Sequence, residues 1–349
     1  MGKPRNQAAP IGVVDSSSDE GVDVEIRLSG LKPFTALGGL VLYAPSPADA
    51  QAEAHSNEEG QVYFGRGGVS LHEGDVVLDL GANVGAFTRM AAPVLGAAGA
   101  VYAVEPIQEV AAALRLNARR FQAWADARGL PVARVVPIHA GVGELGGPPK
   151  REFTYYPKIT AFSSMYRDDE DAAQATLSLV VNRRESFSAI ENIGKALARC
   201  APGLYRAIHF AAFIGLLMRP AVAVVCPMTT VSDIIDEHGL REVGLLKANV
   251  ERAEWDALMG IRKDHWPAIR QVSLQVHDIA GRVSAVEALL RAKGFARVVV
   301  YKEPRFRDCN LFMVYGSRAA RGAAGGGGAA AAAAPAPARG ARRRPAAGA

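Results

Sequence analysis

Cysteine is scarce in this chain: Cys200, Cys226 and Cys309 are the only three in 349 residues. An odd number at wide spacing makes neither a disulfide framework nor a CxxC metal pattern, so a reducing, cytoplasmic setting is expected. His55, His72, His209, His238 and His265 are scattered, and no metal site is expected. No long hydrophobic run is present. The strongest, Phe210 to Leu217, is too short for a bilayer, and Arg219-Pro220 separates it from the next apolar residues, which favours helix, break and strand over a transmembrane span. The opening "MGKPRNQAAPIGVV" lacks a hydrophobic signal core, and residue 6 is Asn rather than the Ser or Thr of a myristoylation site. An organellar address stays open.

Acidic residues are absent from Ser317 to Ala349, whereas Arg318, Arg321, Arg339, Arg342, Arg343 and Arg344 fall there. These arginines account for the whole formal excess of +5. The rest of the chain is nearly neutral and carries no electrostatic footprint for nucleic acid. The Gly/Ala/Pro/Arg composition of 317–349 has almost nothing to bury and predicts a disordered tail.

What is there is a core-forming chain, 49% hydrophobic. Residues 1–21 are polar and read as a flexible terminus. Residues 22–73 hold short strand-like runs ("VDVEIRLSGL", "GGLVLYA", "QVYFGR") and read as a β-rich extension. From Gly74 to Gly316 strand and helix patterns alternate. "DVVLDLG", "GAVYAVEP" and "VARVVPIHA" are continuous apolar runs, as strands buried on both faces should be. Val84, Phe87, Thr88 and Ala91, then Ile107, Val110, Ala111 and Leu114, share helix faces between them. "VGLLKANV", "RQVSLQVHD", "FARVVVY" and "NLFMVYG" continue the sheet. The alternation predicts an α/β, doubly wound, mostly parallel sheet. About 158–226 breaks the rhythm with an insertion, partly helical (Phe187, Ile190, Ile193, Leu197). A lid or substrate-binding element is expected there.

The chemistry concentrates where the first buried strand gives way to a helix. Asp79, Gly81, Asn83 and Gly85 stand at every second position in "VVLDLGANVGAFT". Glycines permit a sharp turn and a close ligand, and the helix behind them offers free N–H groups. The spacing differs from the G-x-G-x-x-G that cradles a pyrophosphate, which argues against a nicotinamide-dependent oxidoreductase. A carboxylate at the strand end suits a cationic ligand. S-adenosylmethionine carries an ammonium, a sulfonium and no phosphate. Glu105 ends the second strand about twenty residues further on, where an acid can accept hydrogen bonds from both ribose hydroxyls. The alternative is that the glycines serve only a tight turn and Glu105 is a surface acid.

The motifs "VVLDLGANVGAFT", "VYAVEP", "LRLNA", "VGLLKANVERAEWDALMGI" and "QVSLQVHD" together resemble the FkbM family of S-adenosylmethionine-dependent methyltransferases. "GQVYFGRGGVSLHEGD", "TYYPKITAFSSMY", "MTTVSDIIDEHG" and "NLFMVYGSR" fit the same family, and the resemblance spans roughly residues 60–317. It implies a class I methyltransferase (Rossmann-like) fold of seven strands, the last antiparallel, with a helical insertion. It also implies S-adenosyl-L-methionine as cofactor and methyl transfer to a hydroxyl of a small molecule or sugar. Gly141 and Val142, in "HAGVGE", would line an adenine pocket.

The family pattern L-K-I-D-V-E-G-x-E reads here with Asn249 for its Asp and Arg252 for its Gly, and Gln275 replaces the Glu of E-V-H-D. Amides keep the size and lose the charge. Two readings are open: an active O-methyltransferase, or a cofactor-binding relative whose transfer is weakened. Asn249 is counted with the cofactor residues. A hydroxyl acceptor benefits from a base, and His277, Glu251 and Glu254 are the candidates. His277 is taken as the base or as the group orienting the acceptor, with Glu251 near the cofactor or acceptor; the alternatives are a hydrogen-bonded strand-end histidine for His277 and a solvated first helical turn for Glu251 and Glu254. Oligomeric state is not legible.

Overall fold

A computed structural model describes residues 31–35, 40–46, 62–166, 200–201, 220–307 and 309–319. The alternating pattern after Gly74 forms β3 (Val76–Leu80), α1 (Ala86–Leu95), β4 (Ala100–Glu105), α2 (Gln108–Asp126) and β5 (Arg134–His139). It resumes as α3 (Val231–Glu237), β9 (Leu245–Ala248), α4 (Glu254–Met259), β10 (Gln271–His277), α5 (Arg282–Ala292), β11 (Arg297–Tyr301) and β12 (Leu311–Ser317). These strands make one sheet in the order β5-β4-β3-β9-β10-β12-β11. β3, β4, β5, β9 and β10 are parallel, and β12 runs antiparallel between β10 and β11. Strand residues alternate between two cores. Val77 and Leu245 pack on one face with Phe87 and Leu114, while Leu78, Leu246 and Val272 pack on the other with Ile234 and Leu258. Helices on both faces bury every central strand, which is why the strands read as unbroken apolar runs.

A second, three-stranded sheet stands beside the first. β8 (Val222–Thr229) pairs antiparallel with β7 (Lys150–Tyr155) and parallel with β6 (Gly141–Val142). The strand expected after Arg219-Pro220 is β8. It runs on into Thr230, whose hydroxyl caps α3 in a box with Asp233. In the N-terminal stretch, β1 (Lys32–Thr35) and β2 (Val41–Ala44) form an antiparallel pair.

"QVYFGR" is turned rather than extended over its described residues. Gly65, Gly67 and Gly68 all have positive φ, and a Cβ on Gly67 would lie 2.5 Å from Tyr315. The segment instead lies over the sheet, with the Tyr315 hydroxyl donating to the Val62 carbonyl at 2.6 Å. The helix expected around Phe187–Leu197 and the apolar segment 204–217 lie outside the described residues, as does the tail beyond Ala319. No helix among the described residues is long and apolar enough to cross a membrane.

Candidate active site

β3 connects to β4 on one side of the sheet, while its other neighbour, β9, arrives from far along the chain. That reversal makes a crevice at the carboxyl ends of β3 and β9, the usual ligand position in such sheets. Gly81 sits there with φ 71°. A Cβ on it would come 1.8 Å from the Asn249 carbonyl oxygen, and Asn249 N–H donates to the Leu80 carbonyl at 3.0 Å. The space that Gly81 leaves open is therefore filled by the end of β9 rather than by a ligand. Gly85 caps α1 at φ 93° and lets Leu114 of α2 approach. Its role is helix packing. Asn83 adopts φ 48°, and its side-chain amide donates to the Thr160 hydroxyl at 3.2 Å.

Asp79 departs from expectation. It is fully buried and lines no part of the crevice. Lys247 Nζ lies 2.8 Å from Asp79 Oδ1, and the Thr88 hydroxyl donates to Oδ2 at 2.6 Å. Lys247 also donates to the carbonyls of Gly81 at 2.8 Å and Leu80 at 3.3 Å. The acid expected to grip a cationic ligand is engaged by an internal cation, because a buried lysine requires a counter-charge. Lys247 is the Lys of the family pattern L-K-I-D-V-E-G-x-E, but the sequence reading gives it no role. Its signal is a lone cation inside "VGLLKANV", a strand otherwise fit for burial on both faces. Asp79 and Lys247 are direct register partners.

The empty space at the crevice, counted out into its open mouth, is about 590 Å³. Gly81, Asn83, Glu105, Gly141, Val142, Asn249 and Glu251 line it, while Asp79, Gly85, Glu254 and His277 do not. Glu105 accepts from Asn83 N–H at 3.0 Å with Oε2 and from Ile107 N–H at 3.1 Å with Oε1. Burial outweighs those hydrogen bonds and the charge of Lys247, pushing its carboxyl up to about 7. Asn249 Oδ1 is buried without a hydrogen-bond partner. Gly141 admits no side chain, since a Cβ would lie 2.7 Å from Met228 Sδ and from Phe153 Cζ. His139 ends β5 beside this wall and donates from Nε2 to the Pro106 carbonyl at 3.0 Å. Burial and Arg115 hold its imidazole below the usual value.

Part of "TYYPKITAFSSMY", a stretch that fits the family but carries no assigned site residue, covers the crevice. Thr160, Ala161, Ser163 and Met165 line it, and Ser164 exchanges backbone hydrogen bonds with Thr154 of β7. The Ser164 hydroxyl donates to the Glu251 carbonyl, and the Tyr166 hydroxyl donates to Asp256 at 2.6 Å. "SSM" reads as an ordinary loop in sequence; its tie to the crevice is the Ser164–Glu251 contact, 87 positions apart.

Glu251 and Arg252 turn the chain from β9 into α4 with φ 45° and 80°. Two successive left-handed residues without glycine are costly. Arg252 stands where the family pattern has Gly, so Arg252→Gly should raise stability by about 1 kcal/mol. A higher urea midpoint checks this; an unchanged midpoint would show that the turn carries no penalty. Behind Glu251, His277 Nε2 lies 3.6 Å from Glu251 Oε2, and Nδ1 lies 3.2 Å from Glu254 Oε1. Gln275 is apart from this group. Its side-chain oxygen accepts from the Tyr63 hydroxyl at 2.9 Å, and it lines no part of the crevice.

The strand order, the antiparallel β12 and the crevice walled by Glu105 and the first strand–helix turn define a class I methyltransferase. Comparison with known proteins narrows this. The Methyltransferase FkbM domain family matches residues 79–296. The chain is 33% identical over 255 residues, 73% of its length and 85% of the relative's, to "31-O-demethyl-FK506 methyltransferase FkbM" of Streptomyces tacrolimicus. It is 30% identical over 243 residues, 66% of its own length, to "AMB antimetabolite synthetase AmbE" of Pseudomonas aeruginosa, of which it spans 10%. A solved FkbM methyltransferase from Methylobacillus flagellatus aligns at 13% identity with a TM-score of 0.40, covering 76% of this chain and 51% of that one. The chain belongs to the FkbM family of S-adenosylmethionine-dependent methyltransferases.

Proposed function

We propose that this methyltransferase acts on a hydroxyl of a small molecule, with its cofactor in the crevice at the ends of β3, β4 and β9. The observation that carries this reading is the unpartnered Asn249 Oδ1 in the same crevice as Glu105. A buried acceptor without a donor is costly and fits a ligand that brings one. Each Glu105 oxygen takes one backbone N–H and retains capacity for another donor, which suits a pair of ribose hydroxyls. Asn249 Oδ1 suits an ammonium, and Gly141 and Val142, beside Val104 and Ala140 on the crevice wall, are assigned to the adenine. S-adenosylmethionine bound there would supply a methyl group already activated by a sulfonium. The chain's own tasks are then orientation, exclusion of water and removal of one proton. Phe153, Met165 and Val250 give the crevice apolar walls. Glu251 is the candidate base that reaches it. The relative's printed name describes a substrate lacking a methyl on oxygen, which supports an oxygen acceptor.

Titration calorimetry should show saturable binding of S-adenosylmethionine and none of NAD; the reverse result would end this reading. Labelled methyl should then appear on a hydroxyl in a metabolite extract. Asn249, in place of the family's Asp, favours a second reading, a member that holds the cofactor but transfers weakly. Asn249→Asp separates the two: activity that appears only in the variant supports the second. Gln275 bears on neither reading, because it lies away from the crevice.

A further inference from the structure

We propose that Glu254 is a positioning residue, acting through His277 to hold Glu251 ionised and turned toward the acceptor. The inference deepens the reading of Glu251 as base and rests on it. Glu254 is fully buried at the start of α4. Its Oε1 accepts from Arg252 N–H at 2.8 Å and faces His277 Nδ1 at 3.2 Å, while Oε2 faces Arg282 Nη1 at 3.4 Å. Arg282 Nη1 also donates to the Arg252 carbonyl at 2.6 Å. A carboxylate already taking N–H donors can only accept from the ring, so Nδ1 carries hydrogen. That leaves Nε2 toward Glu251 Oε2. A bare Nε2 lone pair against a carboxylate oxygen would repel, so one proton belongs to the His277–Glu251 pair.

The buried charge of Glu254 decides where that proton sits. It favours the imidazolium and leaves the Glu251 carboxylate ionised at the crevice wall. Burial opposes charging His277, but the hydrogen bond and charge of Glu254, with the charge of Glu251, prevail over burial and Arg252 and raise its pKa above the usual value. Among the described residues, the charged groups around the ring are Glu254 of α4, Glu251 and Arg252 of the turn, and Arg282 of α5, which lies across Glu254. The adjacent Asp278 is turned away and accepts from Val283 N–H at 3.1 Å. In the reaction the acceptor's O–H bond breaks, its proton passes to Glu251, and the electron pair stays on the acceptor oxygen. Glu251 then releases the proton to solvent in the crevice. The imidazolium behind it is neither consumed nor formed.

The test titrates the full chain, labelled with 15N-histidine and free of cofactor, by NMR. The His277 signals are assigned by their loss in His277→Gln. Both ring nitrogens should stay protonated above the ordinary histidine value of 6.5. Glu254→Gln should lower the midpoint by about one pH unit, Glu251→Gln should lower it too, and Glu254→Asp should restore part of the shift. A wild-type midpoint at or below 6.5 would overturn the proposal, as would an unchanged midpoint in folded Glu254→Gln. Should Glu254→Gln fail to fold, the wild-type and Glu251→Gln titrations decide. The measurement needs no ligand. Failure to bind S-adenosylmethionine would end the functional reading and leave this result standing.

Discussion

Lys247→Met should destabilise the protein by about 3–5 kcal/mol, the usual cost of removing one member of a buried ion pair. The loss comes from what is left behind. Asp79 would remain fully buried with only the Thr88 hydroxyl and no counter-charge. The carbonyls of Gly81 and Leu80 would also lose their donor at the tip of β3. Hydrophobic volume is nearly conserved, and the aromatic rings of Tyr63 and Phe87 near the ammonium can pack against a thioether. Unsatisfied charge, rather than a cavity, is therefore the dominant effect. The double variant Asp79→Asn with Lys247→Met should be more stable than Lys247→Met alone, since it removes the stranded charge. Urea unfolding measures both. A single-variant loss under about 1 kcal/mol, the range of an exposed pair, would show that the two side chains are not buried together.

Glu105→Ala should weaken S-adenosylmethionine binding about 100-fold, the sum of two charge-assisted hydrogen bonds of about 1.5 kcal/mol each. The wild-type affinity should also depend on pH with a definite sign. The carboxyl of the free protein titrates at about 7. Ribose hydroxyls donate to the ionised form and favour it, so binding releases a proton wherever Glu105 was protonated. Affinity should therefore fall as pH drops below 7, by at most about tenfold per pH unit, and level off above it. Glu105→Ala should remove the pH dependence together with the affinity. Calorimetry across this range tests both; a flat wild-type profile would take the ribose role from Glu105. Stability of the free protein carries the opposite slope. The folded pKa lies above the ordinary glutamate value of 4.5, so the contribution of Glu105 is complete below about 4.5 and is lost as pH rises through about 7.

Much of the fold is legible in the sequence because its signals are local. Apolar runs such as "DVVLDLG" and "GAVYAVEP" come from burial on both faces, and helical spacing in the segments between them comes from one covered face. "QVYFGR" reads as a strand on the same local grounds and is not one. Most of its residues are strand formers, but the positive φ of Gly65 and of Gly67 and Gly68 just beyond it, and the close approach of Tyr315 at Gly67, are tertiary facts. In the candidate site, Glu105 is legible from its place at a strand end. Its partner across the crevice, the unpaired oxygen of Asn249, and the covering segment Thr160–Met165 depend on contacts between distant parts of the chain.

By itself the sequence determined the strand–helix alternation, the sharp turn after β3, the family and the acid at the end of β4. The alternation and the turn arise from backbone sterics and from the period of apolar residues along a few turns or strands, whereas the family comes from the resemblance of the motifs and the acid from its place at a strand end. The tertiary structure alone decided which carboxylates face the crevice. Asp79 and Lys247 are 168 residues apart, yet adjacent strands in register place them side by side, and a buried cation claims the acid nearest to it. Where a charge points in a protein interior is settled by its counter-charge, and that partner is found only once the sheet is assembled.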